Sequence, residues 1–148
     1  ANFKALGPAP VMPGAQRMIA ALGALGMTRV LVTGSAQASL LDKLEHDYPG
    51  VFVDGRRVTA LDVKHGKPYP EPYLKGAALV DADPADCMVV ENAPLGVRAG
   101  KAAGCFVCAV MTGPVPREEF VKEGADLIFN SMEEFADYLE GLLKNKQQ

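Results

Sequence analysis

The chain has 148 residues, of which 49% are hydrophobic and 22% are charged, and its formal net charge is −3. This composition is typical of one globular domain with a single core. It lacks the basic stripe of a nucleic-acid-binding protein and the apolar run of roughly 20 residues that a membrane helix needs. Three cysteines do not form a disulfide framework, so we expect a cytoplasmic protein.

Helix-like and strand-like segments alternate along the chain. We predict a proline-containing lead-in or linker over residues 1–13, an α/β core over 14–143 and a frayed polar tail over 144–148. The strand-like runs are apolar on both faces, which predicts a doubly wound (Rossmann-like), mostly parallel sheet. The predicted helices are 14–25, 38–48, 72–80, 94–104, 117–122 and one after 131; the predicted strands are 29–32, 51–53, 58–61, 87–90, 105–110 and 127–129.

The cysteines are predicted to be core residues. Cys105 and Cys108 lie in one predicted strand, where positions three apart point to opposite faces, which disfavours a redox pair. Cys87, at the start of another strand, is interpreted in the same way.

Residues 87–100 combine a buried strand with a helix start. The apolar run ends on two oxygen-bearing side chains, Glu91 and Asn92, and Pro94 suits the first turn of a helix. Ligands of open α/β sheets bind at the carboxyl ends of the strands. Carboxylate and amide oxygens suit Mg²⁺, and a helix N-terminus favours phosphate. Glu91 and Asn92 are therefore predicted metal ligands.

Two other loops have the chemistry of a phosphate site. Thr33, Gly34 and Ser35 follow a predicted strand and offer two hydroxyls and a glycine whose flexibility lets backbone N–H groups approach an anion. Lys67, in the loop 65–70, supplies a positive charge. Each loop alone has a structural alternative, an ordinary strand-to-helix turn in one case and a solvated lysine in the other. Hydroxyls, a cation and a metal around one crevice are what phosphoryl transfer requires.

Three motifs, in this order, resemble those of the haloacid dehalogenase (HAD) superfamily. They are Thr-Gly-Ser at 33–35, Gly-Lys-Pro-x-Pro-Glu-Pro-Tyr at 66–73, and Val-Val-Glu-Asn-Ala-Pro-Leu-Gly-Val-Arg-Ala-Gly at 89–100. They look like motifs two, three and four of the family, with the greatest likeness to its β-phosphoglucomutase-like phosphatase branch. Met12-Pro13-Gly14 also looks like the family's re-entry from its cap domain.

The resemblance implies a Mg²⁺-dependent phosphohydrolase. Its substrate would be a small phosphorylated metabolite, such as a sugar phosphate or pyrophosphate, cleaved through an aspartyl-phosphate. Ser35 or Thr33 would hydrogen-bond the phosphoryl group. Lys67 would be the catalytic residue that binds the phosphate and balances the charge of the nucleophile, while Glu91 and Asn92 would hold Mg²⁺.

Two features depart from the family pattern. Asn92 stands where an Asp is usual, so Mg²⁺ affinity is expected to fall or substrate choice to shift. The Asp-x-Asp-Gly-Thr motif of the nucleophile does not occur in this sequence. We therefore expect a C-terminal core fragment that is inactive alone, with a missing N-terminal segment or another copy needed to complete the sheet. The alternative is a non-catalytic HAD-fold subunit or interaction module.

Overall fold

The computed structural model describes residues 13–53 and 55–146. Short strands alternate with α-helices through this part of the chain. No helix in it is long and apolar enough to cross a membrane. The elements are α1 (Ala15–Ala24), β1 (Leu31–Val32), α2 (Ala38–Asp47), β2 (Arg57–Val58), α3 (Glu71–Leu79), β3 (Met88–Glu91), α4 (Pro94–Ala102), β4 (Phe106–Val110), α5 (Arg117–Lys122), β5 (Leu127–Phe129) and α6 (Met132–Lys146).

The strands of the described residues form two parallel sheets. One has the order β1-β2 and the other β3-β4-β5. A cavity of about 290 Å³ lies between them, lined by Val30 and Val32 on one side and by residues 88–90 on the other. The predicted α/β fold with a mostly parallel sheet is confirmed, and all carboxyl ends of the β3-β4-β5 strands meet at one edge.

Helices cover both faces of the strands, because alternate strand residues point to opposite sides. The first apolar cluster packs α1, α2 and α6 against Val90 and Cys108. The second packs α3, α4 and α5 against Val89 and Val107. Consecutive strand residues therefore belong to different clusters, which is the arrangement expected of a sheet buried on both faces.

The region after α2 differs from the prediction. Residues 51–53 are not a strand, and β2 pairs in parallel with β1 instead. The predicted strand 58–61 is replaced after Val58 by a 3₁₀ turn over Ala60–Asp62. A capping box causes this change: the Thr59 backbone N–H donates to Asp62 Oδ2 at 2.7 Å, and Thr59 Oγ1 accepts from Leu61 N.

The chain ends are only partly described. The predicted lead-in lies outside the described residues except for Pro13, which is in a turn. The predicted tail starts too early, because α6 continues through Lys146. Ser131 caps this helix: the Glu134 backbone N–H donates to Ser131 Oγ at 3.0 Å.

Candidate active site

The carboxylate of Glu91 lies at the carboxyl end of β3 and is 1% exposed. Its Oε1 accepts hydrogen bonds from Lys67 Nζ and from the Tyr73 hydroxyl, each at 2.5 Å. Its Oε2 accepts from the backbone N–H groups of Asn92 at 3.1 Å and Ala93 at 3.2 Å. A buried charge needs such partners, since an unpaired one costs several kcal/mol. These four donors, all among the described residues, help to explain how an acidic side chain can end an apolar strand.

Helix α4 packs directly against the carboxylate of Glu91. Pro94 is the first residue of the helix, so its missing N–H removes no helical hydrogen bond. Gly96, one turn in, lies directly against Glu91: a Cβ at this position would be 2.0 Å from Glu91 Cδ. Only glycine permits this approach. The helix N-terminus also favours the negative charge beside it.

Lys67 reaches Glu91 from a loop that Glu71 holds in place. The Glu71 carboxylate accepts from the Lys64 backbone N–H at 2.7 Å and from the His65 backbone N–H at 3.2 Å. The Lys64 N–H, followed by the other donors, holds the pKa of Glu71 below its usual range. Both oxygens of the Glu71 carboxylate therefore bind the loop. The Lys67 side chain, which the loop directs toward Glu91, is only 14% exposed.

Tyr73 lies in the first turns of α3 and is 4% exposed. Burial, and then the negative charge of Glu91, raise the pKa of Tyr73 well above its usual value, so its hydroxyl remains a donor. Lys67 Nζ lies 5.0 Å from the centre of the Tyr73 ring, within cation–π range. Tyr73 therefore contacts both members of the ion pair.

The turn after β1 is held by its own hydroxyls. Thr33 is 4% exposed, and its backbone N–H donates to the carbonyl of Val58 at 2.9 Å. Thr33 Oγ1 accepts from Ser35 N at 3.1 Å, and Ser35 Oγ accepts from Gln37 N at 3.2 Å. These bonds match the strand-to-helix turn given above as the structural alternative. They use the oxygens as acceptors, and each hydroxyl keeps one hydrogen to donate to a ligand.

Asn92 turns toward the end of the neighbouring strand. Its Nδ2 lies 3.3 Å from Thr112 Oγ1, just after β4. The side-chain oxygen of Asn92 accepts no hydrogen bond from the residues that the structure describes. This oxygen is therefore the acceptor that Asn92 can offer to a cation.

The donor types at Glu91 and Asn92 fit Mg²⁺, which is commonly bound by one or two carboxylates together with waters and substrate phosphate. Within 13–53 and 55–146, no three His, Cys, Asp or Glu side chains are grouped as a metal site. The two oxygens of Glu91 already accept four hydrogen bonds, which is about the capacity of a carboxylate. A cation bound to Glu91 must therefore replace one of these donors.

The structure thus groups the predicted site residues in pairs. Lys67 contacts the Glu91 carboxylate, and the Asn92 backbone N–H donates to the same carboxylate. The Ser35 backbone N–H donates to Thr33 Oγ1 across Gly34. Three residues were missed at the sequence level: Tyr73, Gly96 and Thr112. The signals for them were present, because Tyr73 and Gly96 lie inside two of the motifs and Thr112 follows a predicted strand.

Comparison with known proteins identifies the family. The sequence model described as "haloacid dehalogenase-like hydrolase" matches residues 1–104. The chain belongs to the HAD-like hydrolases. Its motifs at 33–35, 66–73 and 89–100 all fall within the matched region, so the resemblance seen in the sequence is confirmed.

Two of the curated relatives are named as enzymes that remove phosphate. The chain is 38% identical over 124 residues to hexitol phosphatase A of Escherichia coli K12, covering 83% of this chain and 55% of the relative. It is 38% identical over 130 residues to glycerol-1-phosphate phosphohydrolase 2 of Saccharomyces cerevisiae, covering 82% and 51%. A solved structure from Bacteroides vulgatus, described as a candidate β-phosphoglucomutase, superposes with a TM-score of 0.86 at 45% identity, covering 95% and 57%. The chain therefore spans about half the length of the curated relatives it matches.

Proposed function

We propose that the protein containing this chain is a Mg²⁺-dependent phosphohydrolase that acts on a small phosphorylated metabolite, such as a sugar phosphate. The observation that carries the proposal is the buried Lys67–Glu91 pair at the carboxyl end of β3. This pair places a cation and a carboxylate where open α/β sheets bind ligands. The names of the two phosphatase relatives support the reaction and the substrate class.

Each site residue has a role in this proposal. Lys67 binds a phosphate oxygen and neutralises charge, and the hydroxyls of Thr33 and Ser35 donate to the same group, with Gly34 allowing close approach. Glu91 and Asn92 hold the metal. Mg²⁺, when bound, neutralises phosphate oxygens as a Lewis acid. The Asn92 amide in place of a carboxylate lowers the negative charge at the metal and therefore its affinity.

We place the nucleophile on a strand that occupies the cavity between β1 and β3. An aspartate oxygen of that strand attacks phosphorus, the bond to the leaving group breaks, and water hydrolyses the aspartyl-phosphate. The apolar walls at Val30, Val32 and residues 88–90 support this placement, since a central strand is buried on both faces. The strand comes from an N-terminal segment of the same protein or from another copy.

The test has two arms. The 148-residue chain alone is expected to release no phosphate from a generic aryl phosphate with Mg²⁺. A chimera that joins the preceding part of hexitol phosphatase A to this chain at residue 13 is expected to release phosphate. The Lys67→Met chimera should lose this activity, whereas Lys122→Met, which changes an exposed lysine of α5, should retain it. Turnover by the chain alone, or full activity after Lys67→Met, contradicts the assignment.

The cellular location is also a proposal. A cytoplasmic protein is supported by the cysteines, since Cys87, Cys105 and Cys108 are all free thiols in the structure. Fractionation of the source cells tests this, and recovery of the protein outside the cytoplasm refutes it.

A further inference from the structure

Two cysteines are paired across neighbouring strands at the edge of the sheet opposite Glu91. Met88 of β3 is aligned with Phe106 of β4, so the residues just before them, Cys87 and Cys105, are also opposite one another. The ladder reaches this level, because the Phe106 backbone N–H donates to the Cys87 carbonyl at 3.1 Å. Adjacent strands lie about 4.8 Å apart, and disulfides join Cα atoms separated by about 4.4–6.8 Å.

Both thiols lie on the same face of the sheet. Cys105 is a member of the second apolar cluster, which also contains Val89 and Val107, and Cys87 packs against that cluster. Cys108 belongs to the first cluster, on the other face, as its spacing from Cys105 predicts. The sequence pair Cys105-x-x-Cys108 is therefore separated by the sheet, whereas Cys87 and Cys105, distant in sequence, are neighbours.

Cys87 is the thiol that a small reagent can reach. It is half-buried, whereas Cys105 is 2% exposed and lies behind it in the second apolar cluster. Burial raises the pKa of both thiols, and the charge of the Cys87 thiolate raises that of Cys105 further, as expected for close neighbours. Cys87 Sγ makes a weak hydrogen bond, at 3.4 Å, to the Asp83 carbonyl.

We propose that Cys87 and Cys105 form an oxidation site that a peroxide converts into an intramolecular disulfide. Cys87, the more exposed thiol, attacks the peroxide, which oxidises the sulfur by two electrons to a sulfenic acid and releases water from hydrogen peroxide. The Cys105 thiol then attacks that sulfur. The S–S bond forms, the S–O bond breaks, and the hydroxide leaves as water with the Cys105 proton. Overall, two thiols and one hydrogen peroxide give one disulfide and two waters.

The experiment is peroxide treatment of the folded chain at about pH 9, where raised thiol pKa values still allow some thiolate. Remaining thiols are alkylated, and intact mass and peptide mapping follow. We expect one alkylated cysteine, Cys108, and one cross-linked peptide pair that contains Cys87 and Cys105. The Cys108→Ala variant should form the same cross-link to the same extent. Cys87→Ala and Cys105→Ala should each abolish it, and a reductant should restore all thiols.

Four outcomes overturn the proposal. They are unchanged thiols, a disulfide between Cys105 and Cys108, a disulfide between two chains, and over-oxidation of Cys87 with Cys105 still alkylated. Mapping of the unsubstituted chain decides among them even if an alanine variant fails to fold. Oxidation in denaturant serves as a control, because an unfolded chain should give mixed pairings rather than one.

Discussion

The contact between Gly96 and Glu91 gives the sharpest test of the site geometry. In Gly96→Ala, the new Cβ would lie 2.0 Å from Glu91 Cδ and 2.1 and 2.3 Å from its two oxygens. Carbon atoms in contact are normally about 3.5–4.0 Å apart, so the carboxylate must move by roughly 1.5 Å or more. Its four donors fix the carboxylate in place, and such a movement breaks several of the bonds they make.

The size of the effect follows from these bonds. Hydrogen bonds to a charged group contribute about 1.5–3 kcal/mol each, and the better helix propensity of alanine returns about 1 kcal/mol. If two bonds are lost, Gly96→Ala is expected to lower the free energy of unfolding by about 2–5 kcal/mol. Urea unfolding followed by far-UV circular dichroism measures this. Gly141→Ala in α6, where a Cβ meets nothing within 4 Å, should be neutral or slightly stabilising.

Repeating the substitution in the Glu91→Ala variant separates the clash from other effects of an alanine at position 96. In Glu91→Ala there is no carboxylate to displace, so adding Gly96→Ala should cost little or be favourable. Gly100→Ala is a further control on α4, because its Cβ would be 2.8 Å from Val107 Cγ2 and tests an apolar clash alone. If Gly96→Ala is as stable as the original chain, or costs the same on both backgrounds, the described contact is wrong.

Of three other predictions, two use the same unfolding measurement and the third uses a binding measurement. Lys67→Met removes the cation that is paired with the buried Glu91 carboxylate and should cost about 3–5 kcal/mol, whereas adding Glu91→Gln should recover part of this loss; equal stability of the single and double variants would refute the coupling. Burial alone would raise the pKa of Asp126, but a backbone N–H of β4 and Lys101 hold it below its usual range, so the stability that Asp126 provides is present above about pH 4 and is lost as the pH falls through the lowered value. The free energy of unfolding of Asp126→Asn should therefore differ from that of the original chain at neutral pH and converge with it in acid. A difference that stays constant with pH would contradict this. Asn92→Asp should tighten Mg²⁺ binding in isothermal titration, and unchanged or weaker binding would argue against a metal at this position.

Most of the fold was predictable because its signals are local. Helix α5 and strand β5 have the predicted bounds, α2 ends one residue earlier than predicted, and α3 begins and ends one residue earlier. The site at the end of β3 was also predictable, since two oxygen-bearing side chains follow an apolar run. The strands predicted between residues 51 and 61 were less predictable, because a β-strand exists only with a hydrogen-bonded partner. Residues 51–53 have strand-like composition but no ladder, while Arg57 pairs with Leu31.

The site contacts that were missed are long-range. Tyr73 and Glu91 are 18 residues apart, and nothing in the periodicity of either segment shows that they meet. The motifs did indicate that Lys67 and Glu91 belong to one site, but not that Lys67 and Tyr73 donate to the same oxygen of Glu91. A chemical pattern can therefore identify the residues of a site, whereas the division of four donors between two carboxylate oxygens depends on how α3 and α4 pack.

The position of α3 links the site to the stability of the fold. At Gly76 a Cβ would lie 3.2 Å from Val32 Cγ2, so the helix packs closely on β1. One turn earlier, the Tyr73 hydroxyl binds Glu91 at the end of β3. No ladder joins β1 to β3 between Pro13 and Lys146, so contacts through helices such as α3 hold the two sheets together. The Tyr73–Glu91 bond therefore has two effects: it orients the carboxylate, and, together with the packing of α3 on β1, it connects the two walls of the cavity in which we propose the nucleophile strand. A change that weakens this bond should disturb the ligand site and the spacing of the sheets together, because the same helix sets both.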